Sequence, residues 1–418
     1  MHPSSATVPR PRILHITQPV DGGVARVVTD LARAQLAGGL SVTVACPEGE
    51  LAARLRSLGA QVRPWPAARA PGPALPRETR RLARVVDEVR PDLVHAHSAK
   101  AGLAGRLAVR GRIPTVFQPH AWSFEAVGGL TAALARGWER RGARWTARTV
   151  CVSGAERARG ERAGIGGRWL VVPNGVDPGR FRPADPGTVR AALLPGGGPR
   201  GPLVVCVGRL CQQKGQDVLL RAWDTIVRRV PAARLVLVGD GPDLDALRRS
   251  APGAGSVLFT GAVTDTAPWY QAADLVVLPS RWEGMALAPL EAMACERPVV
   301  ITDVDGARES LPSALAARCL VPAGDPGALA RTVTGLLLDP PLRAAFGAEG
   351  RRHVLAGHDV RHTTAAVTEL YGELLHERHR THDRTHPREH HRTHHRTHHL
   401  TGDLAHREPT DHRESTHS

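Results

Sequence analysis

The feature that most constrains the fold is a strict alternation of short apolar segments with helical segments, which occurs twice along the chain. The first series of apolar segments is RILHI, SVTVA, DLVHA, PTVFQ, TVCVS and WLVV, between residues 12 and 172. The second is LVVCVG, RLVLVGD, SVLFTG, DLVVLP, PVVIT and CLVP, between residues 203 and 322. A strand followed by a helix, repeated, produces parallel sheets. Two series therefore predict an α/β protein with two Rossmann-like domains in tandem.

Proline- and glycine-rich stretches mark the predicted domain boundaries. Residues 1–11 form a lead-in that we expect to be disordered, and LLPGGGPRGP at residues 193–202 separates the two series. We predict an N-terminal domain over 12–190, a C-terminal domain over 200–345 and closing helices over 346–375. The length of 418 residues agrees with this division, because one hydrophobic core rarely serves more than about 250 to 300 residues.

A different composition begins at residue 376 and continues to residue 418. HERHRTHDRTHPREHHRTHHRTHHL repeats His, Arg and Thr, and most of the chain's 21 histidines lie beyond Leu375. A segment with so few apolar residues buries too little surface to fold, so we predict a disordered tail. Its imidazoles are able to bind zinc or nickel weakly, but a solvated repeat without function is the simpler interpretation.

Charge and cysteine content argue against several classes of protein. The net charge of +15 comes almost wholly from arginines spread along the chain, without a zinc-finger spacing, an RNP motif or a basic zipper, so nucleic acid is not an expected partner. The six cysteines form no CxxC pair, which favours reduced thiols in a cytoplasmic protein. No apolar run approaches the roughly 20 residues that span a bilayer, so any membrane contact is expected to be peripheral.

Loops at strand ends are the candidate site, because ligands of open parallel sheets bind beyond the carboxyl ends of the strands. In QPVDGGVARVV, Gly22 and Gly23 leave a helix N-terminus unobstructed, which suits a phosphate or a sugar, although a tight turn explains them equally well. In VGRLCQQKGQDVLL, Arg209 and Lys214 follow a strand. An arginine and a lysine converging there make a diphosphate clamp, and a salt bridge at the start of a helix is the alternative.

A third loop, SRWEGMALAPLEAMACERPVV, contains Glu283 and Glu291 on either side of small or apolar residues. It lies between two apolar strands, so the glutamates are predicted to flank a strand–loop–helix turn, with Pro289 as the first helical residue. Taken alone, either glutamate is as well explained as a solvated or helix-capping carboxylate.

The order of the motifs resembles the retaining glycosyltransferases of family 4. These motifs are VDGG, PDLVHAH, FQPHAWSF, CVSGAERA, VVPNGVDPGRF, GRLCQQKG, LVGDGPDLDAL, FTGAV, ADLVVLPSRWEGMALAPLEAMACERPVV and DGARES, and they fall between about residues 12 and 375. The resemblance implies the GT-B architecture, in which two Rossmann-like domains face each other across a cleft. It also implies retaining transfer of a sugar from a nucleotide-diphosphate-sugar, such as a UDP- or GDP-sugar, without a metal or other cofactor.

The resemblance further assigns roles to residues. Arg209 and Lys214 would neutralise the diphosphate, whose charge grows as the glycosidic bond breaks. Glu283 would accept hydrogen bonds from donor-sugar hydroxyls, His120 would lie near the primary hydroxyl, and Glu291 would accept from the ribose. Loops containing Gly241 and Val263 would border the base. The predicted catalytic residues are Arg209, Lys214, Glu283 and His120. The predicted donor-binding residues are Gly22, Gly23, Gly241, Val263, Met285, Ala286, Leu287 and Glu291.

Other residues enter the prediction with smaller roles. His95 and His97 end the strand in DLVHAH, and Ser98 and Lys100 follow in a predicted loop that would meet the acceptor. Glu309 in DGARES matches a glutamate of the family. Met285 and Ala286 stand where the family often has an aromatic residue and a glycine, and Ala307 where a second glycine is common, so the donor sugar is left open. Cys211 beside the clamp would make the enzyme thiol-sensitive unless the thiol is packed.

The acceptor is predicted from residues 128–149, GGLTAALARGWERRGARWTART. This segment is expected to form a helix that carries tryptophans and arginines, as helices at anionic membrane interfaces do: Arg136, Trp138, Arg140, Arg141, Arg144 and Trp145. It suggests a lipid-linked acceptor, such as a polyprenyl-diphosphate saccharide in envelope polysaccharide assembly, and a location at the inner face of the plasma membrane. A helix packed on its own domain with a soluble saccharide acceptor is an equal alternative.

Two other classes of function remain open at this stage. A sugar-nucleotide epimerase of similar build would convert the donor without an acceptor, although the pair EGMALAPLEA and GRLCQQKG argues against it. A histidine-rich metal- or anion-binding protein would depend on the tail and the net charge. Deletion of residues 376–418 distinguishes the last class, because a transferase would retain its activity.

Overall fold

The computed structural model describes residues 10–194, 201–252 and 255–385. Within them the first sheet has seven parallel strands in the order β3-β2-β1-β4-β5-β6-β7. The strands are β1 (Arg12–Thr17), β2 (Ser41–Cys46), β3 (Gln61–Pro64), β4 (Leu93–His97), β5 (Thr115–Gln118), β6 (Arg148–Cys151) and β7 (Trp169–Val171). The helices that accompany them are α1 (Gly22–Ala37), α2 (Glu50–Ser57), α3 (Leu75–Val89), α4 (Ser98–Val109), α5 (Gly129–Gly142) and α6 (Gly154–Arg162).

The second sheet has six parallel strands among the described residues, in the order β10-β9-β8-β11-β12-β13. They are β8 (Leu203–Val207), β9 (Arg234–Val238), β10 (Val257–Gly261), β11 (Leu275–Leu278), β12 (Val299–Thr302) and β13 (Leu320–Val321). The helices after the first sheet are α7 (Pro186–Leu193), α8 (Gln216–Arg229), α9 (Leu244–Ser250), α10 (Ala267–Ala272), α11 (Leu287–Ala294), α12 (Ser313–Cys319), α13 (Pro326–Leu338), α14 (Pro340–Gly357) and α15 (Val360–Thr385).

The central strands of both sheets are covered on both faces, which explains why they are continuous apolar runs. Every residue of β8 is buried, and β11 and β12 beside it are buried throughout. From α8, Leu219 and Trp223 pack into the same core with no exposed surface. Burial on both faces is what removes the apolar–polar alternation from these strands.

The strand order places the candidate loops at the crevice of each sheet. In the first sheet the order reverses direction between β1 and β4, and in the second between β8 and β11. The loops that leave the carboxyl ends of such adjacent strands diverge, and the gap between them is where open α/β sheets bind ligands. The turns that begin at Gly22, follow β8 and follow β11 all lie at these points.

The last helix returns to the first sheet. An isolated parallel bridge joins Val176 to Asp359 just before α15, and Tyr371 in α15 is fully buried with its hydroxyl 2.6 Å from His95 Nδ1. Farther along, Arg378 donates to the backbone carbonyl of Asp92 at 2.8 Å. Residues up to Arg378 consequently form one compact unit that contains both sheets.

The predicted fold class, two Rossmann-like parallel sheets of GT-B type, is confirmed. Three details differ from the prediction. Strand β3 was not expected, because in its sequence QVRP only Val62 is buried and no apolar run marks it. Pro289 is the third residue of α11, which already begins at Leu287. Helix α15 continues to Thr385, past the predicted start of the tail at residue 376. Residues 1–9 of the predicted lead-in and the tail beyond residue 385 lie outside the described residues.

Candidate active site

The loop after β8 is built around a lysine–glutamate pair. Lys214 ends a short 3-10 turn, Gln212–Lys214, and its Nζ lies 2.5 Å from Glu283 Oε1, which also accepts from the Ser280 hydroxyl at 2.7 Å. The next residue, Gly215, has φ 65°, and a Cβ there would lie 2.1 Å from the Pro279 carbonyl oxygen. The close approach of the two loops therefore requires glycine and brings two predicted catalytic residues together.

Arg209 lies in the same loop, and its positive charge acts on Arg69 of the first half of the chain. Burial and the nearby positive charge of Arg209 lower the pKa of Arg69, which lies between β3 and α3. Gly241 packs on this turn, because a Cβ there would lie 2.2 Å from the Leu210 carbonyl oxygen. Arg69, which the sequence did not single out, is therefore a further candidate beside Arg209 and Lys214 for an anionic ligand, since guanidiniums bind such groups well.

Glu291 is buried in the middle of α11 and is contacted from both halves of the chain. The Tyr270 hydroxyl donates to its Oε2 at 2.8 Å, and Arg26 Nε of α1 lies 3.6 Å from its Oε1. Beside it, the predicted residues Gly23 and Leu287 meet, since a Cβ on Gly23 would lie 3.6 Å from Leu287 Cδ1. The turn at Gly22 and Gly23 and the start of α11 therefore lie against each other.

The loop of Glu283 also packs directly on the first half of the chain. A Cβ on Gly284 would lie 2.9 Å from Glu156 Oε1 and 3.0 Å from the amide nitrogen of Ala121. The Ser153 hydroxyl donates to the Gly284 carbonyl at 2.9 Å, and Asn174 Nδ2 donates to the Met285 carbonyl at 2.7 Å. These contacts place the glutamate loop against the loop of His120.

His120 lies on a strained backbone at the end of β5. It has φ 56°, and Ala121 has φ 101°, a region that residues with a Cβ rarely adopt. The Glu156 carboxylate holds this conformation by accepting from the amides of Ala121 at 2.6 Å and Val152 at 2.7 Å. Burial raises the pKa of Glu156 to about 7. Strain of this kind persists where surrounding contacts impose it, and it clusters at functional sites.

Behind His120 lie three buried histidines. His97 Nδ1 is 3.2 Å from His120 Nε2, and His15 Nδ1 is 3.0 Å from His97 Nε2. His95 stacks on His97 with ring centroids 3.9 Å apart. Burial lowers the pKa of all four, to about 4 for His15 and about 3 for His120, so the rings are neutral at neutral pH. His15, His95 and His97 each offer a ring nitrogen within 4.8 Å of the others, a spacing that a metal ion can also use.

Lys100, which the sequence placed in a loop near the acceptor, and Glu309, which was matched to a glutamate of the family, both have partners within the protein. Lys100 lies inside α4 and is only 3% exposed; its Nζ pairs with Glu78 Oε2 at 2.6 Å and donates to the Ala70 carbonyl. The prediction of an acceptor-facing loop was wrong here, because α4 begins already at Ser98. Glu309 accepts from the amides of Gly154 and Ala155 at the start of α6, at 2.7 and 2.9 Å.

The remaining predicted residues are less informative. Val263 is partly buried and packs on the core that contains the second sheet. Ala286 caps the start of α11 and is partly buried. The thiol of Cys211 is free and half-buried at the clamp.

The predicted helix at 128–149 is present as α5 followed by a 3-10 turn, but its tryptophans do not form the exposed face. Trp138 is half-buried against Arg106, whose guanidinium lies 5.5 Å from the indole and pairs with buried Glu139 at 2.6 Å. The exposed apolar side chains are instead Val127, Leu130 and Leu134, with Leu130 77% exposed. We call these three residues the α5 ridge. No helix in the described ranges is both long and apolar enough to span a bilayer.

Sequence reasoning missed several residues of the site. Arg26, Arg69, Tyr270 and Glu156 were not named, although Glu156 lies in the quoted motif CVSGAERA. A glutamate three residues after a serine at a strand end is a capping signal, and Ser153 does cap α6 by accepting from the Glu156 amide. That signal predicts the cap but not the carboxylate's contact with Ala121.

Comparison with known proteins agrees with this geometry. Residues 21–180 match the family described as Glycosyltransferase Family 4, and residues 201–339 match Glycosyl transferases group 1. The chain is 36% identical to the GDP-mannose-dependent alpha-(1-6)-phosphatidylinositol monomannoside mannosyltransferase of Mycobacterium tuberculosis, over 68% of this chain and 76% of that protein. It is 34% identical to the lipopolysaccharide core biosynthesis mannosyltransferase LpcC of Rhizobium leguminosarum, over 49% of this chain and 60% of LpcC.

Some matches are shorter. The chain is 37% identical to the corresponding mannosyltransferase of Mycolicibacterium smegmatis, but the match spans about half of each protein, 48% of this chain and 55% of the relative. Among solved structures, sucrose-phosphate synthase from Thermosynechococcus elongatus superposes with a TM-score of 0.74 at 22% identity, over 88% of this chain and all of the other. Anabaena Alr3699/HepE, solved with UDP and glucose, gives 0.73 at 22% identity, over 86% of this chain and 99% of that structure.

The two Rossmann-like parallel sheets have the GT-B architecture, and the family matches identify the chain as a glycosyltransferase. Within that class, the chain belongs to glycosyltransferase family 4.

Proposed function

We propose that this glycosyltransferase moves a hexosyl group from a nucleotide-diphosphate-sugar to a saccharide or lipid-linked acceptor, with retention of anomeric configuration and without a metal. We propose envelope polysaccharide or glycoconjugate synthesis as its setting. The observation that carries the proposal is the Lys214–Glu283 pair, held against the loop of His120 at the carboxyl ends of both sheets. GDP-mannose is the first donor to test, because two of the relatives named above are GDP-mannose-dependent.

The cations of the site suit the leaving group. Bond cleavage leaves a nucleoside diphosphate, and charge on its oxygens grows in the transition state. Lys214 has three N–H donors, of which Glu283 uses one, so the others remain for phosphate oxygens. Arg209 and Arg69 add two guanidiniums that can bind phosphate in a bidentate manner. Positive side chains thus supply the charge that a metal provides elsewhere, which is why we propose metal-independent chemistry.

The carboxylates suit the two ends of the donor. Lys214 and Ser280 both contact Oε1 of Glu283, so its Oε2 can accept hydrogen bonds from sugar hydroxyls. Glu291 would accept from the ribose, with Tyr270 fixing its orientation. Glu283 would therefore orient the sugar by hydrogen bonds, and neither glutamate need act as the acid or base of a glycosidase pair.

The test is a transfer assay that reads the stereochemistry of the product. The full-length protein is incubated with GDP-mannose, UDP-glucose or UDP-galactose and a panel of phosphatidylinositol and diphosphopolyprenol acceptors, and the anomeric coupling of the product is measured by NMR. We expect an α-linked product from an α-linked donor, and an activity that Glu283→Gln reduces at least tenfold. A β-linked product would exclude retention. Interconversion of nucleotide sugars without any acceptor would support the epimerase alternative.

We also propose that the protein binds the inner face of an anionic membrane through the α5 ridge. The ridge presents Leu130 and Leu134 one helical turn apart, and the exposed arginines Arg140, Arg141 and Arg144 follow on the same segment. Apolar side chains can insert into a bilayer while neighbouring basic side chains contact its acidic headgroups. The names of two relatives mention phosphatidylinositol monomannoside, which supports a lipid-linked acceptor.

A vesicle-binding experiment tests the ridge. Leu130→Asp with Leu134→Asp is expected to lower binding to vesicles of phosphatidylglycerol and phosphatidylcholine at least tenfold, because each substitution removes apolar burial worth about 1.5 to 3 kcal/mol and adds a repelled charge. Leu338→Asp on α13 is the matched control, since Leu338 is similarly exposed at 62%. Equal binding by the wild-type protein, the double variant and Leu338→Asp would contradict the proposal.

A further inference from the structure

A chain of hydrogen bonds leads from α1 to His120. Gln35 Oε1 lies 2.8 Å from His15 Nε2, His15 Nδ1 lies 3.0 Å from His97 Nε2, and His97 Nδ1 lies 3.2 Å from His120 Nε2. We call these four residues the histidine chain. His15, His97 and Gln35 are at most 1% exposed, so water does not compete for their hydrogen bonds.

The fold explains why these side chains meet. In the parallel register of β1 and β4, His15 pairs with His95, and His97 pairs with Thr17. Side chains two apart on a strand share one face, so His95 and His97 point to the same side of the sheet. His120 follows β5, the neighbour of β4. The order of the strands therefore brings residues from separate sequence motifs together in the histidine chain.

The chain has a direction, because a neutral imidazole has one N–H and one acceptor nitrogen. If Gln35 Oε1 accepts from His15 Nε2, then His15 Nδ1 must accept from His97 Nε2. His97 Nδ1 must in turn accept from His120 Nε2. The remaining nitrogen of His120, Nδ1, then carries no proton. The orientation of one amide thus determines the tautomer of a ring three hydrogen bonds away.

The contact with His15 gives the orientation of that amide. Gln35 Oε1 lies 2.8 Å from His15 Nε2, and the amide nitrogen of Gln35 has no hydrogen-bond partner among the described residues. Gln35 also lowers the pKa of the Tyr371 hydroxyl, against the larger effect of burial, which raises it. Tyr371 is in turn 2.6 Å from His95 Nδ1, and His95 stacks on His97. Helix α15 therefore contacts the histidine chain through Tyr371 and His95.

We propose that Gln35, His15 and His97 are positioning residues that hold His120 as the neutral Nε2–H tautomer, so that its Nδ1 accepts a hydrogen bond from a hydroxyl of the donor sugar. The second clause of this proposal rests on the function proposed above. The tautomer itself does not, because it follows from the hydrogen bonds of the ligand-free protein. His120 thus offers the sugar a lone pair and not a proton.

A metal site is the competing use of the same residues. Both ring nitrogens of His97 already take part in the histidine chain, at 3.0 Å from His15 and 3.2 Å from His120, so an ion bound through His97 would displace one of these hydrogen bonds. The two uses are therefore mutually exclusive. Zinc that survives dialysis of the full-length protein against EDTA, and that is lost in His95→Gln, would overturn the proposal.

The direct test measures ring nitrogen shifts in the full-length protein labelled with ¹⁵N-histidine, without ligand, at pH 8. Exposed neutral histidines exchange between tautomers and give averaged shifts, whereas a held tautomer gives one pyrrole-type and one pyridine-type nitrogen. His120→Asn identifies the His120 signals. We expect a pyrrole-type Nε2 and a pyridine-type Nδ1. The reverse assignment, or averaged shifts, would overturn the proposal.

A variant of Gln35 then tests the end of the histidine chain opposite His120. Gln35→Met keeps the volume but removes the amide, and we expect the His120 shifts to move toward the average of the two tautomers. Thr29→Val is the matched control, because Thr29 is also buried in α1 but donates to Ala25 outside the chain. Unchanged His120 shifts in Gln35→Met, or equal changes in the control, would contradict control by Gln35.

Kinetics separate the tautomer from its use. With a donor that binds, Gln35→Met should lower kcat about three- to tenfold at unchanged thermal stability, the size expected for one misoriented hydrogen bond. If the wild-type protein holds the tautomer but Gln35→Met has the kcat of the wild-type protein, the proposed role of His120 Nδ1 is overturned. The absence of binding by every nucleotide sugar would instead count against the proposed function, since the shifts are measured without ligand.

Discussion

The two sides of the site differ in how they hold their polar groups. On the side of the first sheet, His120 is half-buried in front of three buried histidines, the rings are neutral at neutral pH, and the backbone at Ala121 is strained. On the side of the second sheet, Lys214 and Glu283 form a short ion pair on an unstrained loop. A neutral, directional surface suits hydroxyl groups, and a cationic one suits a diphosphate. In the function proposed above, His120 would therefore contact the sugar of the donor and Lys214 its diphosphate.

The largest expected effect comes from removing charge on the second side. Lys214→Ala should lower kcat about 10²- to 10³-fold, the range seen when one donor to a developing oxyanion is removed. Substitution also leaves Glu283 without its cation. Lys214→Arg should recover part of the loss, while Arg228→Ala on the exposed face of α8 should have no effect. Wild-type kcat in Lys214→Ala would refute the division described above.

A second prediction concerns the packing of two loops within the second side, where the loop after β12 supports the loop of Glu283. Gly306 has φ 74°, and a Cβ there would lie 1.9 Å from the Gly284 carbonyl oxygen. Gly324 has φ 78° with open space around it, so both substitutions to alanine carry the same backbone strain. Gly324→Ala should lower the free energy of unfolding by about 1–2 kcal/mol. Gly306→Ala should lower it by about 2 kcal/mol more and reduce activity, because the added methyl group overpacks a tight contact. Equal losses in chemical denaturation would show that the loops can separate freely.

A smaller effect should appear in the pH dependence of stability. Burial raises the pKa of Glu156 and of Glu125 from 4.5 to about 7, so between these values the folded protein keeps protons that the unfolded chain has lost. Stability contributed by these groups is present below pH 4.5 and is lost as the pH rises through about 7. Glu156→Gln should flatten this decline in urea denaturation. Glu161→Gln, at an exposed pair with Arg157, should leave it unchanged.

The outline of this site could be predicted because strand ends are visible in sequence. Apolar runs end at Val207 and Leu278, so the sequence pattern is sufficient to assign Arg209, Lys214 and Glu283 to loops at strand ends. Their direct pairing could not be predicted, because Lys214 and Glu283 are 69 residues apart and local pattern carries no distance. The role of Lys100 was mistaken for the same reason: its partner Glu78 lies on another helix.

The residues that support the site, such as Glu156 and Gln35, were harder to predict from the sequence than the site residues themselves. Glu156 acts through a carboxylate that reaches the strained loop of another strand, and Gln35 acts through two other side chains. Neither residue belongs to a sequence motif from which its contact could be predicted. Strand β3 was missed because edge strands bury only one or two residues. Packing between elements, and not local propensity, decides each of these cases.

The central claim, that the second side binds a diphosphate, is tested most directly by calorimetry of the full-length protein with GDP and GMP, and with UDP and UMP. The account predicts that one diphosphate binds at least tenfold more tightly than its monophosphate, and that Lys214→Ala removes this preference while leaving monophosphate binding intact. Equal affinities for both nucleotides, or a preference that survives in Lys214→Ala, would contradict it.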